Sequence, residues 1–173
     1  MDLQGALNGL QEFLERGGPI LNWIMLLTFV MWAFILERLA YFGFAHGGVK
    51  KRVMQEWGAR SDHHSWHALA IRDQLISEVK QKAEQNVELI KTLVAVAPLF
   101  GLLGTVTGMV AVFDVMSISG SSDAKAMSAG VARATIPTMA GMVAALSGLL
   151  FSNQIERMAK QRVHELADEL EVE

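Results

Sequence analysis

Hydrophobic and polar positions fall in long blocks along this chain. Residues 17–36, 92–113 and 134–155 contain no Asp, Glu, Lys, Arg or His. Each block has about the 20 residues that a helix needs to cross a hydrocarbon core roughly 30 Å thick. The pattern therefore predicts an all-α membrane protein with three transmembrane helices. Outside the blocks, apolar residues return every three or four positions. Leu3, Leu7, Leu10 and Leu14 do so among Asp2, Gln4, Glu12 and Glu15, as in a short amphipathic helix lying on a membrane surface. Leu69, Ile71, Leu75, Val79, Ala83, Val87, Ile90 and Val94 keep the same rhythm with no glycine or proline before Pro98. This predicts one unbroken helix from Trp66 through the second span, reaching roughly 40 Å beyond the bilayer. Ile155, Ala159, Val163, Leu166 and Leu170 extend the third span in the same way, so the two stripes can face each other in water.

Turn residues divide the blocks. Gly17, Gly18 and Pro19 break the first helix, with proline tolerated early in a helix because its missing N–H has no partner there. His46, Gly47 and Gly48 mark a second turn, and "SISGSSDAK" a third. The resulting division is an amphipathic helix at 1–16, spans at 17–36, 92–118 and 126–153, a long loop and helix at 37–91, a short turn at 119–125, and a C-terminal helix at 154–173.

Charge orients this arrangement. Lys and Arg collect in 37–91 and in the tail, with Lys125 alone between the second and third spans and Arg16 alone before the first. The positive-inside rule makes the loop and tail cytoplasmic and the topology N-out and C-in. The first block does not suit a removable signal: Glu12 and Glu15 precede it, and it runs into Trp32 and Phe34 without a small-residue cleavage site.

Composition agrees, with 51% hydrophobic and 19% charged residues against roughly 25% charged in soluble domains. A net charge of -3 and the lack of an extended basic patch argue against nucleic acid, while Lys50, Lys51 and Arg52 can touch anionic lipid. There is no cysteine, so disulfide and thiolate chemistry are excluded. His63, His64 and His67 have helical spacing that a metal can use, but no carboxylate or cysteine completes a ligand set, and no metal or cofactor is expected. With no phosphate loop, nucleophile motif or paired catalytic carboxylates, an enzyme is not expected.

The spans carry three signals. Lipid gives helices no hydrophobic reason to associate, so close packing needs small residues. Gly101, Gly104 and Gly108 supply them in the second span, and Gly130, Pro137, Gly141 and Gly148, with Ala134, Ala145 and Ser152, in the third. These seams pack two helices of one chain or several copies into a ring. Thr105, Thr107, Thr135 and Thr138 lie near mid-span, where a hydroxyl either bonds back to its own helix or lines a narrow polar path. Arg133 lies roughly 10 Å inside the outer end if the third span begins near Ala126. It can snorkel to headgroups, pair with Asp114 at the matching end of the second span, or meet a carboxylate of another protein.

"APLFGLLGTVTGMVAVFDVM" followed by "GVARATIPTMAGMVAALSGLL" resembles the two membrane segments of the ExbB/TolQ/MotA family of proton-channel subunits, over about residues 91–155. Within that family the chain is most similar to short ExbB-type subunits of alternative TonB systems. The resemblance implies an inner-membrane homopentamer around the span of an ExbD-like subunit, using the proton motive force to drive a TonB-like protein for uptake of iron chelates or cobalamin. It also implies pore-lining roles for Thr105 and Thr138, with Thr135 beside them. Where many members carry a glutamate in the third span, this chain has Arg133, which stays protonated and cannot relay protons by titration. The titrating carboxylate then has to come from the partner, and Arg133, with Asp114, sets the potential around it. A TolQ-like envelope motor and a non-conducting membrane scaffold are the alternatives.

Overall fold

A computed structural model of the chain describes residues 3–60, 62, 65–119 and 124–170. All regular elements among them are helical: α1 Leu3–Ala40, a π-helical turn Tyr41–Ala45, α2 His46–Gly58, α3 Trp66–Glu84, α4 Val87–Ser119, α5 Ala124–Ala134 and α6 Ile136–Glu169. Three helical runs, Gly17–Phe44, Trp66–Ile118 and Met127–Glu169, are long and apolar enough to cross a membrane. Each contains one of the uncharged blocks. Residues 120–123 of the polar turn, together with His63 and His64, lie outside the described residues, as do the side chains of Leu3, Leu7 and Leu10.

Local chemistry interrupts the long runs. In α1, Gly18 takes φ 69 and ψ -171, a conformation that a side chain would strain, and Pro19 follows without an N–H. Between α5 and α6, Pro137 has no N–H to give the Arg133 carbonyl, and the helix breaks at Thr135.

The helix expected to run unbroken from Trp66 through the second span is interrupted at Gln85 and Asn86. Gln85 is extended (φ -53, ψ 136), and Asn86 takes φ 62, a left-handed conformation that asparagine tolerates better than most residues. A continuous helix would bond the Asn86 N–H to the Lys82 carbonyl. Here the Arg38 guanidinium donates to that carbonyl at 2.9 Å. Arg38 is buried, pairs with Glu37 and lies 5.0 Å from the Tyr41 ring centroid, while the Asn86 amide donates to Glu37 at 3.4 Å. Apolar periodicity does not register this break because Ala83, Val87 and Ile90 on either side of it remain buried.

The chain forms two compact units. The first comprises Met1–Trp32 and Thr92–Leu149. Its buried residues include Leu21, Ile24, Met31, Ala97, Ala134 and Pro137, several of them small. The second comprises Ala33–Lys91 and Leu150–Glu173. Its core is a cluster of Val53, Trp57, Ala68, Leu75, Val79, Leu166 and Leu170. Ion pairs flank that core, with Lys50 on Glu169 and Arg52 and Lys82 on Glu78, and elsewhere in the unit Lys91 and Lys160 meet Glu156. Arg72 donates to the carbonyls of Ala167 (2.9 Å) and Leu170 (2.8 Å), closing the end of α6 with a cation as the helix dipole favours.

Candidate functional site

Backbones in the first unit approach too closely for side chains. A Cβ placed on Gly141 would lie 2.6 Å from the Ala97 carbonyl oxygen and 3.2 Å from the Gly101 Cα; one placed on Gly101 would lie 2.9 Å from the Thr138 Cα. Gly104 faces the Pro137 ring, Gly108 would bring a Cβ to 2.7 Å from that of Ala134, and Gly130 faces Val112. Gly148 abuts Met31 and Val94. Glycine at these positions lets α4 approach α5 and α6 at backbone distance, close enough for a side chain as short as threonine to reach the other helix's carbonyls.

Thr138 makes that crossing. Its hydroxyl donates to the Gly101 carbonyl at 2.9 Å, 37 residues away in sequence. The helical ladder assigns that carbonyl to the N–H of Thr105, so one peptide oxygen with two lone pairs joins the two threonines. The other hydroxyls stay on their own helices: Thr105 donates to Leu102 (2.7 Å), Thr107 to Leu103 (3.0 Å) and Gly104 (3.1 Å), and Thr135 to Ala132 (2.7 Å). Each hydroxyl thus spends its proton on a carbonyl and keeps lone pairs that can accept from water. Thr105 and Thr138 are half-buried, whereas Thr107 and Thr135 are exposed. Sequence reasoning had both threonines but not the carbonyl between them; its only trace is the glycine at position 101, which permits the approach.

Asp114 and Arg133 are both exposed, and no ion pair joins them among the described residues. Arg133 instead lines a cavity of about 530 Å³ within the first unit, together with Gly18 and Ile20 of α1 and the α4 segment around Gly108 and Val112. No group of three His, Asp or Glu side chains able to hold a metal occurs among the described residues. His67 is exposed and packs edge-on against Trp66, with ring centroids 5.1 Å apart.

These features define a multi-pass membrane protein in which hydroxyls and peptide carbonyls are the polar groups where α4 meets α5 and α6. The chain belongs to the MotA/TolQ/ExbB proton channel family, whose profile matches residues 44–168. It is 38% identical over 79 residues to "Putative biopolymer transport protein ExbB-like 1" of Synechocystis sp., covering 44% of this chain and 31% of that protein. It is 34% identical over 73 residues to "Biopolymer transport protein ExbB" of Helicobacter pylori, covering 42% of this chain and 50% of the relative. Over 101 residues it is 30% identical to the protein of that name from Aquifex aeolicus, covering 55% of this chain and 68% of the relative. The matched segment thus spans about a third of the Synechocystis protein and half of the Helicobacter one.

Proposed function

We propose that this chain is an inner-membrane, ExbB-like subunit of a motor driven by the proton motive force, oriented N-out and C-in. In this reading it forms a homopentameric ring around the span of an ExbD-like subunit and energises a TonB-like protein for uptake of iron chelates or cobalamin. The observation that carries the reading is the bond from Thr138 to the Gly101 carbonyl within the segment shared with the family. It ties together two mid-span threonines where the sequence supplies no ionisable side chain. Threonine hydroxyls do not titrate at physiological pH, so they hand protons on only by exchanging hydrogen bonds with water. The step that stores a proton belongs to a carboxylate of the partner. Arg133 and Asp114 act on that carboxylate through the potential at the outer end of the helices. One charge crossing 100 mV releases roughly 2.3 kcal/mol, so a few protons per step suffice to turn a partner within a ring.

Proton uptake into liposomes, followed with an enclosed pH-sensitive dye, tests this. Flux is expected only when the ExbD-like partner is present, and Thr138→Val, which keeps the shape and removes the donor, should lower it severalfold in a correctly assembled complex. Unchanged flux in that variant would return Thr138 to helix packing alone, and no flux in a complex engaged with its TonB-like protein would favour a scaffold.

A further inference from the structure

The cavity beside Arg133 has no part in the path just described. Gly18, which leaves the helical conformation, lies on its wall with Gly17, Pro19 and Ile20. Small residues on the other walls, including Gly104, Ala111, Ala129 and Gly130, leave the space unfilled. Arg133 is the only ionisable side chain among the lining residues, and it makes no hydrogen bond or ion pair among the described residues. The remaining lining is almost entirely apolar, with Val115 and Met127 toward one end.

The position of the cavity narrows what fills it. Gly17 opens the first uncharged block, Arg133 directly precedes the third, and Val115 lies just past the second. All three blocks therefore end at this cavity, which puts the boundary between hydrocarbon and headgroups at Arg133, about two helical turns further in than a span beginning at Ala126. From Val115 back to Gly104 the α4 wall runs about 16 Å, close to one leaflet's share of a hydrocarbon core roughly 30 Å thick. A guanidinium at that boundary stays charged at any physiological pH, and its planar fork matches phosphate oxygens bidentately. Carboxylate partners are missing from the lining, and the apolar walls suit a hydrocarbon chain.

We propose that this cavity binds one anionic phospholipid, with its phosphate on Arg133 and one acyl chain lying along α4 from Val115 toward Gly104. In the N-out orientation this lipid belongs to the outer leaflet. The phosphate supplies a direct anionic contact that Arg133 does not find among the described residues. The longer-range effect of Arg133 on the potential at the outer end remains, and the site does not depend on proton conduction.

The absence of cysteine from the chain makes the site directly testable. An Ala111→Cys variant of the full chain places a single thiol on the cavity wall. In nanodiscs of phosphatidylcholine, adding phosphatidylglycerol of the same chain length should slow alkylation of that thiol by a maleimide about tenfold, the difference that a charge-assisted phosphate contact supplies. Adding Arg133→Gln should abolish the protection, and Arg133→Lys should keep most of it. Native mass spectrometry of the unsubstituted chain should show one phosphatidylglycerol retained per chain in preference to phosphatidylcholine. Equal alkylation rates with the two lipids, or protection that survives Arg133→Gln, would overturn the proposal. So would efficient disulfide linking of two copies through the introduced thiol, which would make a second chain the occupant. Because the readout is lipid protection, it stands or falls separately from proton flux.

Discussion

The two units of this chain reach order by opposite means. The second unit excludes water from large side chains, with Trp57, Leu75, Leu166 and Leu170 at its centre and ion pairs around them. The first has glycine where its helices meet and leaves large residues such as Leu102, Val106, Val110, Val143 and Leu146 exposed. Water and lipid account for the difference. In water, each large apolar side chain buried contributes roughly 1.5–3 kcal/mol. In lipid that gain vanishes, so helices adhere through close backbone contact and hydrogen bonds, and bulky side chains turn outward to lipid or to other proteins. A substitution that is mild in one unit is therefore severe in the other.

Glycine makes the sharpest test. Gly141→Leu drives a side chain into the Ala97 carbonyl and the Gly101 backbone, neither of which can swing aside as a flexible side chain would. It should separate α4 from α6, break the Thr138 bond and cost more than about 3 kcal/mol. The measurable result is little or no folded protein recovered from membranes, with Gly141→Ala showing a weaker effect of the same sign. Gly48, in α2 of the second unit, meets nothing within 4 Å. Gly48→Ala should be neutral or stabilising by a few tenths of a kcal/mol to about 1 kcal/mol, because alanine is the better helix former. Equal tolerance at both positions would mean that α4 and α6 do not rely on backbone contact.

Arg38 tests the comparison from the other side, because it is a buried charge inside the unit that otherwise buries hydrocarbon. Arg38→Met keeps the apolar stem and removes the donor to the Lys82 carbonyl at the break between α3 and α4. Leaving that acceptor unpaired should cost on the order of 2 kcal/mol. Hydrogen exchange followed by mass spectrometry should then show amides of residues 83–90 exchanging roughly 30-fold faster. Unaltered exchange there would mean that Asn86 holds the break without help.

The sequence disclosed most where one rule acts on every residue of a segment. Hydrocarbon excludes ionised groups, so three uncharged blocks announced three helices long enough to span. Gly101, Gly104 and Gly108 could be read as a seam because few other roles place glycine at three- and four-residue steps in a span. Relations between distant residues were not legible. Whether Thr138 reaches its own helix or the Gly101 carbonyl depends on the register of α6 against α4, which no local pattern encodes. Arg38 counted only as one more positive charge beside a span, and its burial follows from a helix break that a single asparagine permits within an otherwise regular stripe. The cavity at Arg133 likewise depends on how distant parts of the chain, Gly17 to Ile20, Gly104 to Met116 and Met127 to Pro137, come together in space.

The smallest expected effect separates the hydrocarbon core of the second unit from the charges around it. Glu78 accepts hydrogen bonds from Lys82 (2.8 Å) and Arg52 (2.6 Å), and these cations hold its carboxyl below the usual 4.5. A carboxylate whose folded pKa is depressed stabilises the fold fully above its unfolded value. That contribution fades as pH falls below 4.5 and through the lower folded value. Glu78→Gln should thus lower the thermal midpoint at pH 7 by no more than about 2 °C, because exposed pairs are screened by water and salt. The gap between variant and parent should narrow as the pH drops below 4.5 and should also shrink in high salt. A large loss at pH 7, or a difference that persists in acid, would mean that Glu78 supports the packing between α2 and α3 through its shape. The charges would then belong with Trp57 and Leu75 as part of the core, and the contrast between the two units would rest on side-chain size alone.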